Sequence, residues 1–469
     1  MLARMGMRLA HTAALFVIVM SLAGCGAAPS PATGQLDALV AFLRDVHPDP
    51  HRYVDATALD ALVEAEQASL GPEPDALALA RATQRVVASM GDAHLMAGLV
   101  SDGSRAPGFP LAAVRAGDAI FVDASEPALP VGTELISVEG RAAADFLRDL
   151  GAYASIDGDR PAVRLSEAER RFAGFATLEL GRHETYAVEV RRPGEDITTL
   201  VLPASDVDLD ARRRSAPRLG RAEGAPWPST RSHGSWTVLA LPSFGVPDEE
   251  GYAARVDALF ADLPRDAPLA LDLRGNEGGV RAHGVAVVRH LLAEPFAQWV
   301  RVETRVRAIP DAHAGRVSFP IAPESALTGF PGERVGARWL VEGDPLADRM
   351  VPTGAPHEGP LAVIVDDATN SAAIELVAAL LAHRERVRVI GTETQGECGR
   401  HTGQLPVLYE VGEGVGVLTS LFEITLVPIP GCEPGRGVIP HVEVRYTASH
   451  FLEQRDPFLE ALEEEDTRP

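Results

Sequence analysis

The chain contains no lysine: all 43 residues counted as lysine plus arginine are arginines. Any mechanism in which a lysine amine deprotonates a serine is therefore excluded, and a serine nucleophile must find another base, for which histidine is the natural candidate. A phosphate loop ending in Gly-Lys-Ser/Thr is excluded for the same reason. Cysteine is scarce, with three residues, and aromatics make up only 5%. Positive charge is also short, at 43 basic against 66 acidic residues and a net charge of −23. That balance argues against nucleic acid as a partner and against docking on anionic lipid through a basic face. Apolar residues nevertheless reach 46% of 469 residues, which reads as a globular protein of two or three domains.

The amino-terminal residues form a targeting pattern. Arg4 and Arg8 supply a positive start, Ala13 to Leu22 a short apolar stretch, and Leu22-Ala23-Gly24-Cys25 a small-residue cleavage site. This resembles the bacterial lipoprotein signal, in which the cysteine becomes the lipidated first residue. It implies a leader over 1–24, lipidation at Cys25, a Gly/Ala/Pro/Ser tether over 25–33 and a membrane contact through the lipid anchor. An ordinary secretory cleavage or an uncleaved anchor are the alternatives, and either still exports the chain. Gly26 stands where an aspartate commonly retains lipoproteins at the inner membrane, so the expected place is the cell envelope, at the outer membrane facing the periplasm. The remaining cysteines, Cys398 and Cys432, are an even pair that can form a disulfide in such a compartment. A zinc site is the weaker reading, since no histidine pair stands at finger spacing.

Leu36, Leu39, Val40, Leu43 and Val46 recur at helical spacing, and residues 34–98 read as a helical unit ending in Gly91-Asp92-Ala93-His94. Over 99–205 the pattern turns to short β runs, Ala119–Val122 and Thr185–Val190 among them, which predicts a separate β-rich module. Residues 206–235, with Arg212-Arg213-Arg214 and many glycines and prolines, read as a linker. From 236 to 450 strands and helices alternate, which predicts a mostly parallel sheet with covering helices and a site at the carboxyl ends of its strands. A helix and acidic tail over 451–469 close the chain.

Three segments fall at such strand ends: Arg274-Gly275-Asn276-Glu277-Gly278-Gly279, Asp366 to Ser371, and Gly391-Thr392-Glu393-Thr394-Gln395-Gly396. Together with Asp272, Gly435-Arg436-Gly437-Val438-Ile439-Pro440 and Asp456-Pro457-Phe458-Leu459, their order and spacing resemble the tail-specific, or C-terminal processing, serine peptidases and their tricorn-type relatives. The processing branch places its lysine where Glu397 stands here. The tricorn-type branch uses serine, histidine and glutamate, with the histidine in a segment similar to Gly91-Asp92-Ala93-His94. The resemblance thus implies the Ser/His/Glu branch and an α/β core of the ClpP/crotonase-like type. It also implies a peptide or unfolded protein segment as substrate, and neither metal nor organic cofactor.

On that resemblance Ser371 is the expected nucleophile, His94 the general base, Glu423 the orienting acid, and the N–H groups of Gly278 and Ala372 the oxyanion hole. Glu393, Glu397 and Glu433 compete with Glu423 for the acid role. Each assignment has a plainer rival: Ser371 as a helix N-cap, His94 as a helix-terminal residue favoured by the dipole, Glu423 as a solvent-facing residue of an edge strand. Asp272 and Arg274 read as loop-orienting residues. Pro130 to Gly140 resembles a short stretch of peptide-binding PDZ domains, so the middle module is expected to be degenerate PDZ-like, with a ligand-free β module as the alternative. The rival for the whole chain is a peptide-binding scaffold that retains the fold without catalysis.

Overall fold

The computed structural model describes residues 34–99, 106–213, 227–329, 332–341 and 350–466. Cys25, its leader and the tether lie outside the described residues, as does most of the arginine-rich part of the expected linker.

The amino-terminal helices span Gln35–Val46, Ala56–Ser69 and Ala76–Ser89. Asp55 and Asp75 cap the second and third, accepting the N–H groups of Ala58 at 2.9 Å and Ala78 at 2.7 Å. Leu36, Leu39, Val40, Leu43 and Val46 are buried as their spacing predicts. They close no core of their own, however, but join the main cluster of the 236–444 segment. A strand Met96–Leu99 follows directly and pairs antiparallel with Val415–Leu426 in the register Met96 to Leu418.

The middle module has its own core around Phe109, Phe146, Phe172 and Tyr186. Its antiparallel sheet runs in the spatial order Leu111–Ala116, Ala119–Ser125, Glu134–Val138, Thr185–Arg191, Ile197–Pro203. Three helices the β reading did not anticipate, Ala143–Leu150, Pro161–Arg170 and Phe172–Leu180, cover it. The expected linker is also more structured than its composition suggests. Arg213 is buried against Asp123 (2.8 Å) and Glu169 (3.2 Å), and Ser229–His233 forms a hairpin with the first strand of the core.

The core sheet is parallel over Trp236–Ala240, Leu269–Asp272, Leu361–Val365, Val387–Gly391 and Val442–Glu443, with Ser229–His233 antiparallel at its edge. Side-chain alternation divides its two faces. Leu269, Leu271, Val363, Val365 and Val389 pack toward the helices Arg281–Val288 and Ala372–His383. Ala270, Ala362, Ile364 and Ile390 pack toward Phe458 and Leu462 of the final helix, Pro457–Asp466.

A second, antiparallel sheet was not expected. It is built on the long hairpin Arg400–Gly412 and Val415–Leu426, flanked by Trp299–Thr304, Arg338–Leu340 and shorter strands. Glu413 and Gly414 turn the hairpin with φ of 50° and 73°, a two-residue turn that suits the strand twist. A bulge between Gly403 and Gln404, followed by Leu405 at φ 53°, re-aims the strand where it passes His94.

Candidate active site

The loops after Asp272 and Val365 are tied to one another. Both carboxylate oxygens of Asp366 accept the Gly275 N–H at 3.0 Å, and the Asn370 N–H donates to the Asn276 carbonyl at 3.1 Å. Burial pushes the Asp366 carboxyl up to about 6. Asp272 and Arg274 act as the sequence suggests: Arg274 is fully buried and holds Asp272 (2.6 Å) and Asp456 (2.8 Å), fastening the loop to the final helix.

Ser371 stands at the start of the helix Ala372–His383 with φ 53° and ψ −127°, a strained conformation for a residue with a side chain. Its hydroxyl makes no capping bond, so the N-cap reading does not describe it. Gly278 presses against it. A Cβ at Gly278 would lie 2.5 Å from the Ser371 Cβ, 2.9 Å from the Asn370 carbonyl oxygen and 3.0 Å from the Ala372 nitrogen, at φ +96°. Only glycine fits there. Among the described residues the Ala372 N–H has no hydrogen-bond partner, whereas the Gly278 N–H already donates to Asn276 Oδ1 at 2.9 Å.

His94 lies in the loop between the third helix and the strand Met96–Leu99. Its backbone N–H donates to Asp92 Oδ1 at 2.7 Å, and its Nδ1 is 3.8 Å from the same oxygen. Asp92 is buried and also accepts the Thr402 hydroxyl (2.7 Å) and His47 Nε2 (2.8 Å). Burial opposes its charge, yet the hydrogen bond and charge of His47 hold its carboxyl well below the ordinary range. Burial, and then the positive charge of His401 when protonated, push the His94 imidazole down to about 4, against the opposing pull of Asp92 and Glu375. Both ring nitrogens of His94 are buried without a hydrogen-bond partner, so no bond joins His94 to Ser371.

The two segments meet through side chains that the sequence reading missed. Glu375, one helical turn after Ser371, is buried and bonded to Arg281 Nε (2.9 Å) and His401 Nε2 (3.1 Å). The His401 ring in turn stacks on His94, with centroids 5.4 Å apart and planes inclined by 26°. A lone acid inside the apolar run from Ala372 to Leu381 was a visible signal for Glu375. His401 carried none.

Glu423 is placed elsewhere. Strand alternation puts Ile424 and its partner His401 on one face of the antiparallel sheet, and Glu423 with Arg400 on the other. There Glu423 is bound by Arg52, by Arg338 (3.2 Å) and by Arg400 (3.6 Å), and it makes no contact with His94. Two of the competing acids are occupied too: Glu393 holds Arg436 (2.9 Å) and Arg160 (3.1 Å), and Glu397 accepts the Tyr53 hydroxyl and the Gly435 N–H. The acid beside His94 is Asp92.

Asp92, His94 and Asp157 bring three ligand-type atoms within 4.8 Å of one another. The carboxylates are already engaged, Asp92 as above and Asp157 by the N–H groups of Ala93 (2.9 Å) and Glu397 (3.1 Å). We therefore read the trio as the polar frame of the histidine loop. Cys398 and Cys432 are joined as a disulfide with Cα atoms 5.7 Å apart, closing the loop that carries the long hairpin and His401.

Residues 236–444 match the sequence model of peptidase family S41. Over that segment the chain is similar to the S41 peptidases. Most of the chain shares its fold with a solved structure: mature CPAF complexed with lactacystin superposes with a TM-score of 0.62 at 15% identity, covering 92% of this chain and 97% of that one. Mature CPAF alone gives a TM-score of 0.60 at 16% identity over 92% and 95% of the two chains. No curated protein sequence matches the chain.

Proposed function

We propose that this S41 protein is an exported serine peptidase that hydrolyses peptide bonds through an acyl-enzyme at Ser371. The observation that carries the reading is the strained, uncapped Ser371 pressed against Gly278, beside the unpartnered Ala372 N–H at a helix start. In this reading the Ser371 hydroxyl attacks the substrate carbonyl and its proton passes to His94, whose burial favours the neutral form. The Ala372 N–H stabilises the developing oxyanion, joined by the Gly278 N–H as it turns from Asn276. His94 then protonates the leaving amine, and water repeats the sequence to free Ser371. Asp92, rather than Glu423, orients the imidazole.

His94 must close on Ser371 for the first proton transfer, and its unpartnered ring nitrogens leave it able to accept that bond. The same absence of a Ser371–His94 bond favours the second reading, a peptide-binding scaffold without turnover. An extended peptide could also pair with the edge strand Ile197–Pro203 of the middle module, which is bonded on one side only and exposes Ile197 and Val201.

Labelling by a fluorophosphonate decides between the two readings. A peptidase is labelled, loses the label in Ser371→Ala and loses most of it in His94→Ala. No labelling and no peptide turnover between pH 5 and 9 would establish the scaffold. We further propose lipidation at Cys25, which incorporation of labelled palmitate and its loss in Cys25→Ala would check.

A further inference from the structure

His401 belongs to no motif that suggested the site, yet the structure builds it into the middle of it. The side chain is 3% exposed. The Gly403 N–H donates to its Nδ1 at 3.1 Å, which fixes that nitrogen as an acceptor. The proton is thereby placed on Nε2, which donates to Glu375 Oε1 at 3.1 Å. Glu375 is itself clamped by Arg281, whose guanidinium lies over the Trp299 ring at 3.5 Å. Burial disfavours the Glu375 charge, but the hydrogen bond from His401 and the Arg281 charge prevail and hold its carboxyl below the ordinary range.

The arrangement makes room for two imidazoles in one layer. A Cβ at Gly403 would fall 2.7 Å from His94 Nε2 and 3.0 Å from His401 Nδ1, so the glycine at the bulge leaves the space they share. The charged and titratable groups around His94 are Asp92 on its own loop with His47 behind it, Asp157 from the middle module, His401 on the long hairpin, and Glu375 with Arg281 from the two core helices. Of these, only His401 stacks on the His94 ring and also bonds to the helix that carries Ser371.

We propose that His401 is a positioning residue for His94: anchored by Glu375, it stacks on the His94 ring and ties it to the nucleophile helix. The catalytic role rests on the serine peptidase reading, but the ring geometry and its effect on His94 do not. When His401 takes a second proton on Nδ1, at the cost of the Gly403 bond, its charge 5.4 Å away opposes protonation of His94; as the neutral tautomer it does not compete for the serine proton.

Imidazole nitrogen NMR of the full chain tests this without any turnover, with His94→Asn and His401→Gln assigning the two rings. In the unmodified protein at pH 7, His401 should be the neutral Nε2–H tautomer; a charged ring or an Nδ1–H tautomer would overturn the proposal. In His401→Gln the His94 titration midpoint should rise by about half a pH unit or more, since a neighbouring charge of this kind commonly shifts a pKa by that much. An unchanged midpoint in the folded variant would also overturn it. The fluorophosphonate rate is then read on the same samples. If the unmodified protein is not labelled, the peptidase reading fails while the His401–His94 coupling stands or falls on the spectra. If it is labelled, His401→Gln should slow labelling about tenfold at pH 5 and pH 8 alike, because a half-unit rise from about 4 changes the neutral fraction of His94 little at either pH and the loss is one of ring placement, while the KM for a peptide changes little.

Discussion

Replacing Gly278 with alanine tests the oxyanion side of the site through a single methyl group. The new Cβ would sit 2.5 Å from the Ser371 Cβ, whereas ordinary contacts begin at 3.4 Å, so one of the two loops must yield by about 0.9 Å. The Asn370 oxygen at 2.9 Å and the Ala372 nitrogen at 3.0 Å block the sideways escape, and φ +96° strains any L side chain by about 1–2 kcal/mol. A displacement near 1 Å at a reacting centre costs about 10²-fold in rate. Loss of one oxyanion donor costs about 10²–10³-fold. Fluorophosphonate labelling of Gly278→Ala should therefore fall by about 10²-fold or more, with unfolding stability lowered by about 2–5 kcal/mol when overpacking is included. Gly140→Ala is the control. It has φ +75° and nothing within 4 Å, so it carries the backbone strain alone and should label normally. Labelling of Gly278→Ala within about threefold of the unmodified protein would refute the placement of this glycine against the nucleophile.

Other consequences can be measured independently. Asp92→Asn should lower labelling by about 10²–10⁴-fold, whereas Glu423→Gln should destabilise by about 3–5 kcal/mol, because three arginines lose their shared carboxylate, yet leave labelling of the folded fraction nearly intact. The reverse pattern would return Glu423 to the site. Because His94 must be unprotonated to act and lies at about 4, kcat/KM for a peptide should stay level from pH 8 down to about 5 and fall below that. A limb near the ordinary histidine value would contradict its burial beside His401. Opening the Cys398–Cys432 bridge, which spans 34 residues, should cost about 3–4 kcal/mol in urea unfolding under reducing conditions.

The parallel core was legible from its alternation of apolar strands and helices. The helix Ala372–His383 and the strand Leu361–Val365 fall where the periodicity put them, and the helix expected over Gly251–Leu263 spans Glu249–Ala261. Ser371 and Gly278 were legible because strand-to-loop transitions carry short-range signals that survive without tertiary knowledge. The antiparallel sheet was not, since its strands pair across more than a hundred residues, as in Trp299–Thr304 with Val415–Leu426, and each run is also compatible with other partners. The placement of Glu423 was out of reach for a related reason. An acid in an apolar strand has to have a partner, but which face it takes depends on a register that only the folded sheet reveals. His401 and Asp92 each come beside His94 through that same sheet, a placement that could not be read from spacing.

The histidine loop is held in place by the strand Met96–Leu99, whose hydrogen-bonded neighbour ends at Leu426. A ribosome must therefore synthesise nearly the entire polypeptide before the strand that follows His94 finds its partner. On the exported-peptidase reading proposed above, the emerging product would be harmless to the machinery that makes and translocates it, and a molecule truncated before that hairpin would stay inert however well its front portion folds.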